Sequence, residues 1–373
     1  MMRRILGSLF LIFLCSSAFA ADRITMRVNM YGSYTDNLFQ NYNRRSDWVT
    51  LAYVDLNYIL RPSMSLYYTG NANVFAEYRD LFSHTHQMGL GYVRPGKGRN
   101  AIYAGFATDL RLDRPIYRYY DYVQSSVYVN AKRYVRSTLL ALGGYQVRYR
   151  NYLNAEDYNF VEQTASIKIS RFFQTRTTLQ VQSSLGLKTY TQATNQDAVL
   201  GVVTRASDAR TLAQVTTGVK VAQSLTHYMG LQVEYLRQFT LAGRNRYAAL
   251  DGYNTDDELF DDRYSYEGQE YRTKLKYSGR SGFSVEMMGR YVKRNYSGRP
   301  ALDLNGFIIA PNLMREDTRK SLSVAGTKTF KFSGNWLPKT TITTEWLLNQ
   351  IASTDSYYDT SIQVFSVGLQ LSR

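Results

Sequence analysis

The side chains of this chain alternate, and the alternation leaves few folds open. Leu179, Val181, Leu185 and Leu187 fall on one side of a period-two pattern, and Thr178, Gln180, Gln182, Ser184 and Lys188 on the other. Ala213, Val215, Val219 and Val221 likewise oppose Gln214, Thr216 and Lys220. Phe283, Val285, Met287, Gly289 and Tyr291 oppose Ser284, Glu286 and Arg290. Period two puts neighbouring side chains on opposite faces of a strand. The pattern predicts strands over 24–34, 48–60, 64–78, 84–93, 101–112, 121–131, 137–150, 159–170, 176–190, 210–222, 227–239, 264–277, 282–296, 317–330, 339–350 and 361–373. That is about sixteen strands, each with one apolar and one polar row. Long amphipathic helical stretches are missing. Mean hydropathy is −0.36, and the one long apolar run lies in the first twenty residues, which excludes a bundle of membrane-spanning helices.

The links alternate too. Those at 61–63, 94–100, 132–136, 171–175, 223–226 and 278–281 are short, while three of the intervening links, 191–209, 240–263 and 297–316, are long. Short turns at one end and long loops at the other are what a transmembrane antiparallel up-and-down β-barrel requires. An even strand count returns both ends of the barrel to the turn side, so periplasmic termini are expected. Sixteen strands enclose too much space for side chains to fill. The polar row must then line water and the apolar row must face lipid. The chain has 33 Tyr and 3 Trp. Trp48, Tyr120, Tyr122, Tyr149, Tyr190, Tyr264, Tyr291, Tyr296 and Trp346, near strand ends, are expected to form the interfacial girdles.

The first twenty residues read as an address. Arg3 and Arg4 precede an apolar segment over 5–14, and Ala18-Phe19-Ala20 supplies small residues for cleavage before Ala21. This predicts a signal peptide over 1–20 and a barrel over 21–373. The single Cys, Cys15, lies inside that segment, so a disulfide framework and a Cys-based metal site are excluded.

Formal net charge is +15, and the polar rows carry much of it. Arg111, Arg148, Lys168, Lys188, Lys220, Arg272, Lys274 and Arg290 are the expected basic lining, with Arg27, Arg210, Arg294 and Arg319 on the same rows. Acidic positions there are fewer: Asp55, Asp109, Glu162, Glu234, Glu270, Glu286 and Glu345. Cations along a low-dielectric channel concentrate anions. The competing reading is a wall brace in which Glu270, Glu286, Arg272 and Arg290 neutralise one another. Tyr53, Tyr67, Phe75, Tyr128, Tyr264 and Tyr266 also fall on polar rows. They would either present faces to sugar rings or fill volume.

One link is acidic: Asp251, Asp256, Asp257, Glu258, Asp261 and Asp262. Such a cluster could hold Ca²⁺, bridge divalent ions to lipopolysaccharide, fold inward as a cap over a basic pore, or stay solvated. His84 and His86 share a face but lack further ligands, and His227 is distant. No metal site, no cofactor and no catalytic site are expected.

The segment Gly32-Ser33-Tyr34-Thr35-Asp36-Asn37-Leu38-Phe39 resembles the first strand of several Gram-negative outer-membrane barrel families, some linked to exopolysaccharide operons. Phe365-Ser366-Val367-Gly368-Leu369-Gln370-Leu371-Ser372-Arg373 resembles the terminal signal read by the barrel-assembly machinery, with Arg373 in place of an aromatic residue. The whole chain is similar to the porin-like class. It differs from the general porins in its short third outer link, residues 113–120, so any constriction must come from other loops, such as residues 240–263, or from a partner protein. The resemblance implies an outer-membrane pore in contact with lipid and lipopolysaccharide, and no nucleic-acid partner. With the basic rows, the expected function is passage of small anionic solutes. The alternative is the barrel of a multi-protein assembly, either an exopolysaccharide exporter or a sheath around a periplasmic cytochrome.

Overall fold

The computed structural model describes residues 23–192, 194–196, 203–205, 211–243, 258–259, 261–330 and 339–372. The expected signal peptide, Arg210 and the acidic residues Asp251, Asp256 and Asp257 lie outside the described residues.

The strands are β1 (Ile24–Thr35), β2 (Asp47–Arg61), β3 (Met64–Phe75), β4 (Ser83–Pro95), β5 (Ala101–Asp113), β6 (Tyr122–Arg136), β7 (Leu139–Tyr152), β8 (Phe160–Phe172) and β9 (Thr177–Tyr190). A small hairpin follows, β10 (Thr194–Gln196) with β11 (Val203–Arg205). Then come β12 (Thr211–Ser224), β13 (Met229–Ala242), β14 (Glu267–Ser278), β15 (Phe283–Pro300), β16 (Met314–Phe330), β17 (Lys339–Ser353) and β18 (Thr360–Ser372). All except the hairpin form one closed antiparallel barrel, in which each strand pairs with its chain neighbours, β9 pairs β12, and β1 pairs β18. The sixteen predicted strands correspond one to one with the sixteen barrel strands.

Closure removes every sheet edge, so each strand satisfies its backbone groups in the wall. The register keeps like with like. Val181, Val219 and Val221 share a face with Val233, while Gln180, Lys220, Glu234 and Arg272 form a continuous row on the other. Val127, Ile167, Val181, Val233 and Phe106 stand exposed on the outer wall. An apolar surface running round the whole barrel far exceeds what a water-facing protein shows. At about 25 cal/mol per Å² of apolar surface, its transfer into lipid is a large favourable term.

Three local expectations change. The third strand was expected to run to residue 78 but ends at Phe75, because Asp47 captures the next three amides. Its Oδ1 accepts from Ala76 and Glu77 at 3.2 and 3.0 Å, and its Oδ2 from Tyr78 at 3.2 Å. Residues 132–136 were expected to be a turn, yet β6 continues through Arg136 and the turn is Ser137-Thr138. The girdle also splits. Trp48, Tyr149, Tyr291 and Trp346 stand on the outer wall, but Tyr120, Tyr190, Tyr264 and Tyr296 are buried inside, and Tyr122 packs edge-on against the buried Tyr152. Parity explains the error: Tyr190 shares its row with Lys188, and Tyr296 with Arg294.

Inward tyrosines lie across glycines of the next strand. Tyr67 covers Gly89, and Tyr128 covers Gly105, where a Cβ would fall 2.6 Å from the ring. Such rings cover strand backbone that lacks a side chain of its own. This geometry is volume filling, and it does not present a run of free faces to sugars.

Candidate functional site

At the loop end, residues 258–259 and 261–264 lie inside the barrel. Leu259 is buried in an apolar cluster with Tyr152, Phe160, Tyr190, Leu212 and Tyr264. With the tip held there, three acids reach different walls. Glu258 Oε1 accepts from Arg148 Nη1 at 2.7 Å, and its other oxygen lies 3.7 Å from Arg150, both on β7. Asp262 takes the Lys188 ammonium of β9, which sits 4.0 Å from the Phe160 ring centre. Asp261 Oδ2 accepts from Arg294 of β15 at 2.6 Å and from Arg319 of β16 at 3.2 Å, and its Oδ1 from Tyr296 Oη at 2.8 Å. Arg263 reaches Glu162 of β8, which also accepts from Tyr264 Oη at 2.7 Å. The segment is thus pinned to β7, β8 and β9 on one side and to β15 and β16 on the other. It narrows the lumen at that level.

The solvated-loop reading therefore fails for Glu258, Asp261 and Asp262. Glu258 Oε1, Asp261 and Asp262 are engaged by arginine, lysine and tyrosine, and Glu258 Oε2 faces the Arg150 guanidinium at 3.7 Å without a hydrogen bond. Among the described residues no group of three His, Cys, Asp or Glu could hold a metal ion.

Electrostatics inside the constriction follow from burial against cations. Burial works against the charge of Glu258, yet Arg150, Arg148 and Lys188 hold its pKa down at about 2. Burial also opposes the Asp261 charge, and Arg294, Arg319, Arg315 and Arg299 hold that carboxyl far below the usual range. Asp262 goes the other way: burial pushes it up, with the Lys188 ammonium pulling against.

All eight basic residues expected in the lining lie on inward rows, but most are engaged. Arg111 is held by Asp113 at 2.9 Å and stacks on Tyr120. Arg148 is shared by Glu162 and Glu258, and Lys188 belongs to Asp262. Lower in the wall, Arg272 lies between Glu270 at 2.5 Å and Glu234 at 3.4 Å. Arg290 meets the same Glu270 at 2.8 Å, and Lys274 meets Glu286 at 2.6 Å. Three cations face three carboxylates, which is the geometry of the bracing reading. Lys168 and Lys220 make no ion pair among the described residues. Lys168 lines a recess of about 410 Å³ in the inner wall with Lys132, Gln182, Ser166, Ser184 and Gly144. The small residues leave room, and the two ammonium groups set its charge.

His84 and His86 project outward, with Nδ1 and Nε2 3.0 Å apart, and Tyr68 Oη lies 2.8 Å from His86 Nδ1. They are remote from the constriction.

Sequence reasoning missed Arg150, Leu259, Arg263, Arg315 and Asp317. Two signals were available. Arg150 follows Arg148 at i+2, and Arg315-x-Asp317-x-Arg319 puts three alternating charges on one strand face.

No protein-family model matches the sequence, and no curated protein is detectably similar to it. Among solved structures, Acinetobacter baumannii OccAB1 aligns with a TM-score of 0.55 at 7% identity, over 94% of this chain and 96% of the other. A double variant of OccD1 (OprD) aligns at 0.50 with 8% identity, over 94% and 96%. The outer membrane protein opdK from Pseudomonas aeruginosa aligns at 0.50 with 10% identity, over 94% and 99%. At such identities the likeness is one of fold, and it agrees with the strand count: the chain is a closed sixteen-strand antiparallel barrel of the porin-like type.

Proposed function

We propose that the chain is an outer-membrane channel for small solutes, with a weak preference for anions. The observation that carries this reading is the pairing of a continuous apolar outer wall with a polar lumen that a charged segment narrows. Under this reading the short turns are periplasmic and the long loops extracellular, as in outer-membrane barrels generally. The fold likeness to an outer membrane protein supports the same location.

Anion preference rests on Lys132, Lys168 and Lys220 and not on the ladder. Arg272, Arg290 and Lys274 are balanced by Glu234, Glu270 and Glu286, so they add little net field. Lys168 and Lys220 point into the water column without a carboxylate partner. The double variant K168E/K220E is expected to move the reversal potential in a KCl gradient toward cation preference. R290Q, inside the ladder, should move it much less. A larger shift in R290Q than in the double variant would place selectivity in the ladder.

The pinned segment should also survive mild acid. Glu258 and Asp261 have lowered pKa values, so their contribution is present above the ordinary carboxylate pKa and is lost as pH falls through the folded value. With Glu258 at about 2, conductance should stay level from pH 8 to pH ~5 and rise only below pH ~4. A step in conductance between pH 6 and pH 7 would assign gating to another group.

The direct test of the function is swelling of liposomes holding the refolded protein, with sugars and carboxylates of graded size. Uptake that falls with solute size and favours carboxylates is expected. Liposomes that stay impermeable would contradict the channel reading. A polymer exporter or cytochrome sheath would need the space that residues 258–264 occupy, so the channel reading is preferred.

A further inference from the structure

The outer wall carries a charged patch that the channel does not use. On β13 to β16 the outward residues Tyr235, Tyr271 and Tyr291 lie in one cross-strand row that runs on to Lys320. The rings meet side by side, with centroids 4.9 and 6.2 Å apart. The next outward row toward the loop end reads Arg237, Gln269, Lys293 and Thr318. Below the tyrosines the wall is apolar, with Val233, Leu275, Met287 and Leu322 on the same face.

This placement is selective. Among the described, paired strand positions, Arg237, Lys293 and Lys320 are the only Lys or Arg that project outward from the loop-end half of the barrel. The other outward cations, Arg61, Arg94, Arg133, Arg136, Arg171 and Lys328, sit at the turn end. Elsewhere at the loop end the outer wall offers residues such as Trp48, Leu112, Val123, Val161 and Leu187. A cation on a lipid-facing wall is tolerated only near the interface, and there it finds anionic headgroups.

We propose that this patch is a binding site for the phosphorylated headgroup of an outer-leaflet lipid. The proposal rests on the outer-membrane reading above. The tyrosine row supplies the aromatic level at which acyl chains give way to headgroups. Arg237 and Lys293 stand two strands apart, about 10 Å at the usual strand spacing, which fits two phosphates on one headgroup better than one. The guanidinium of Arg237 donates to Gln269 at only 3.4 Å, lies 5.2 Å from the Phe239 ring centre and makes no ion pair among the described residues, which leaves it able to turn to a stronger acceptor. Lys293 meets Glu316 at 3.4 Å with both side chains 40–50% exposed, a loose pair that an anionic ligand would outcompete. Lys320 makes no ion pair among the described residues. Gln350 and Ser361 continue its row onto β17 and β18, where Gln350 adds hydrogen-bonding capacity for a sugar headgroup and Ser361 Oγ accepts from Arg44 Nη2 at 2.6 Å.

The test uses the full chain, refolded and also purified from an outer membrane, with diphosphorylated lipid A as the probe. Bound lipid A per barrel is measured by native mass spectrometry in R237Q/K293Q/K320Q, and in R94Q/R133Q/R171Q as a control that removes as many cations from the other rim. A heat-dependent gel shift confirms folding of each. The loop-end variant is expected to retain about tenfold less lipid A than wild type, with the turn-end control unchanged. Lipid A stripped of both phosphates should not be retained by wild type. Equal retention in both variants, or equal retention of the dephosphorylated lipid, would overturn the proposal. Channel conductance of the same samples separates the two readings. A wild type that binds lipid A yet conducts nothing refutes the channel and leaves the lipid site. One that conducts yet shows no phosphate-dependent binding refutes the lipid site alone.

Discussion

Replacing Glu258, Asp261 and Asp262 together by their amides is expected to raise single-channel conductance about twofold or more, since a segment released from the lumen leaves a wider water column. The amides keep the shapes of the acids and remove three negative charges. Arg148, Arg150, Lys188, Arg294 and Arg319 would then face the segment without counter-charge. Leaving a buried ion without its partner costs about 3–5 kcal/mol, and burial of Leu259 contributes only about 1.5–3 kcal/mol in the other direction. The pinned state should therefore lose. The wall should not, because Glu162 still holds Arg148 and Arg263, and Asp317 still holds Arg315 and Arg319. Anion preference should rise with conductance, as three carboxylates leave the pore axis. An unchanged conductance in a folded triple variant would show that the constriction lies elsewhere.

The largest loss of stability is expected from Asp317→Ala. Asp317 is fully buried and accepts from Arg315 Nε at 2.9 Å and Nη2 at 2.7 Å, from Arg319 at 2.9 Å and from Ser353 Oγ at 2.8 Å. Arg315 is itself 2% exposed and otherwise lies between the rings of Tyr358 and Tyr296, at 3.4 and 4.4 Å. Removing the carboxylate leaves that guanidinium buried with aromatic faces, and with Asp355 nearby, in place of its bidentate partner. The expected cost is about 3–5 kcal/mol, read as a lower temperature for the gel shift from folded to unfolded barrel. Asp317→Asn should cost less, because it keeps one acceptor oxygen. The double variant R315M/D317L should recover much of the loss, since an apolar pair of similar volume can replace a buried ion pair. A wild-type transition temperature for Asp317→Ala would mean that the pair contributes nothing.

The barrel was legible in the sequence because a wall strand needs only its own alternation. Val181 and Gln182 reveal their faces without knowledge of any partner. Strand ends were less legible where a side chain from another strand intervenes, as Asp47 does at the end of β3. For Tyr190 and Tyr296, position near a strand end points to the girdle and parity points to the lumen, and parity is the better guide. The acidic link was visible as composition, and its inward fold was one of several readings. Choosing among them needs Arg294 and Arg319 near Arg148 and Lys188 across a closed lumen. That proximity is a property of closure, which no local pattern reports. The ladder of Arg272, Arg290 and Glu270 was legible as a set of residues and ambiguous as a role, because the same row serves as a filter when unpaired and as a brace when paired.

As a channel, the barrel is expected to be an open, narrowed water path with surplus positive charge in its wall. Single-channel recording of the refolded protein in a planar bilayer, with the reversal potential under a KCl gradient, tests it most directly. A steady ohmic open state with modest anion preference is predicted. A folded, inserted barrel that passes no current, or one that prefers cations, would contradict the account.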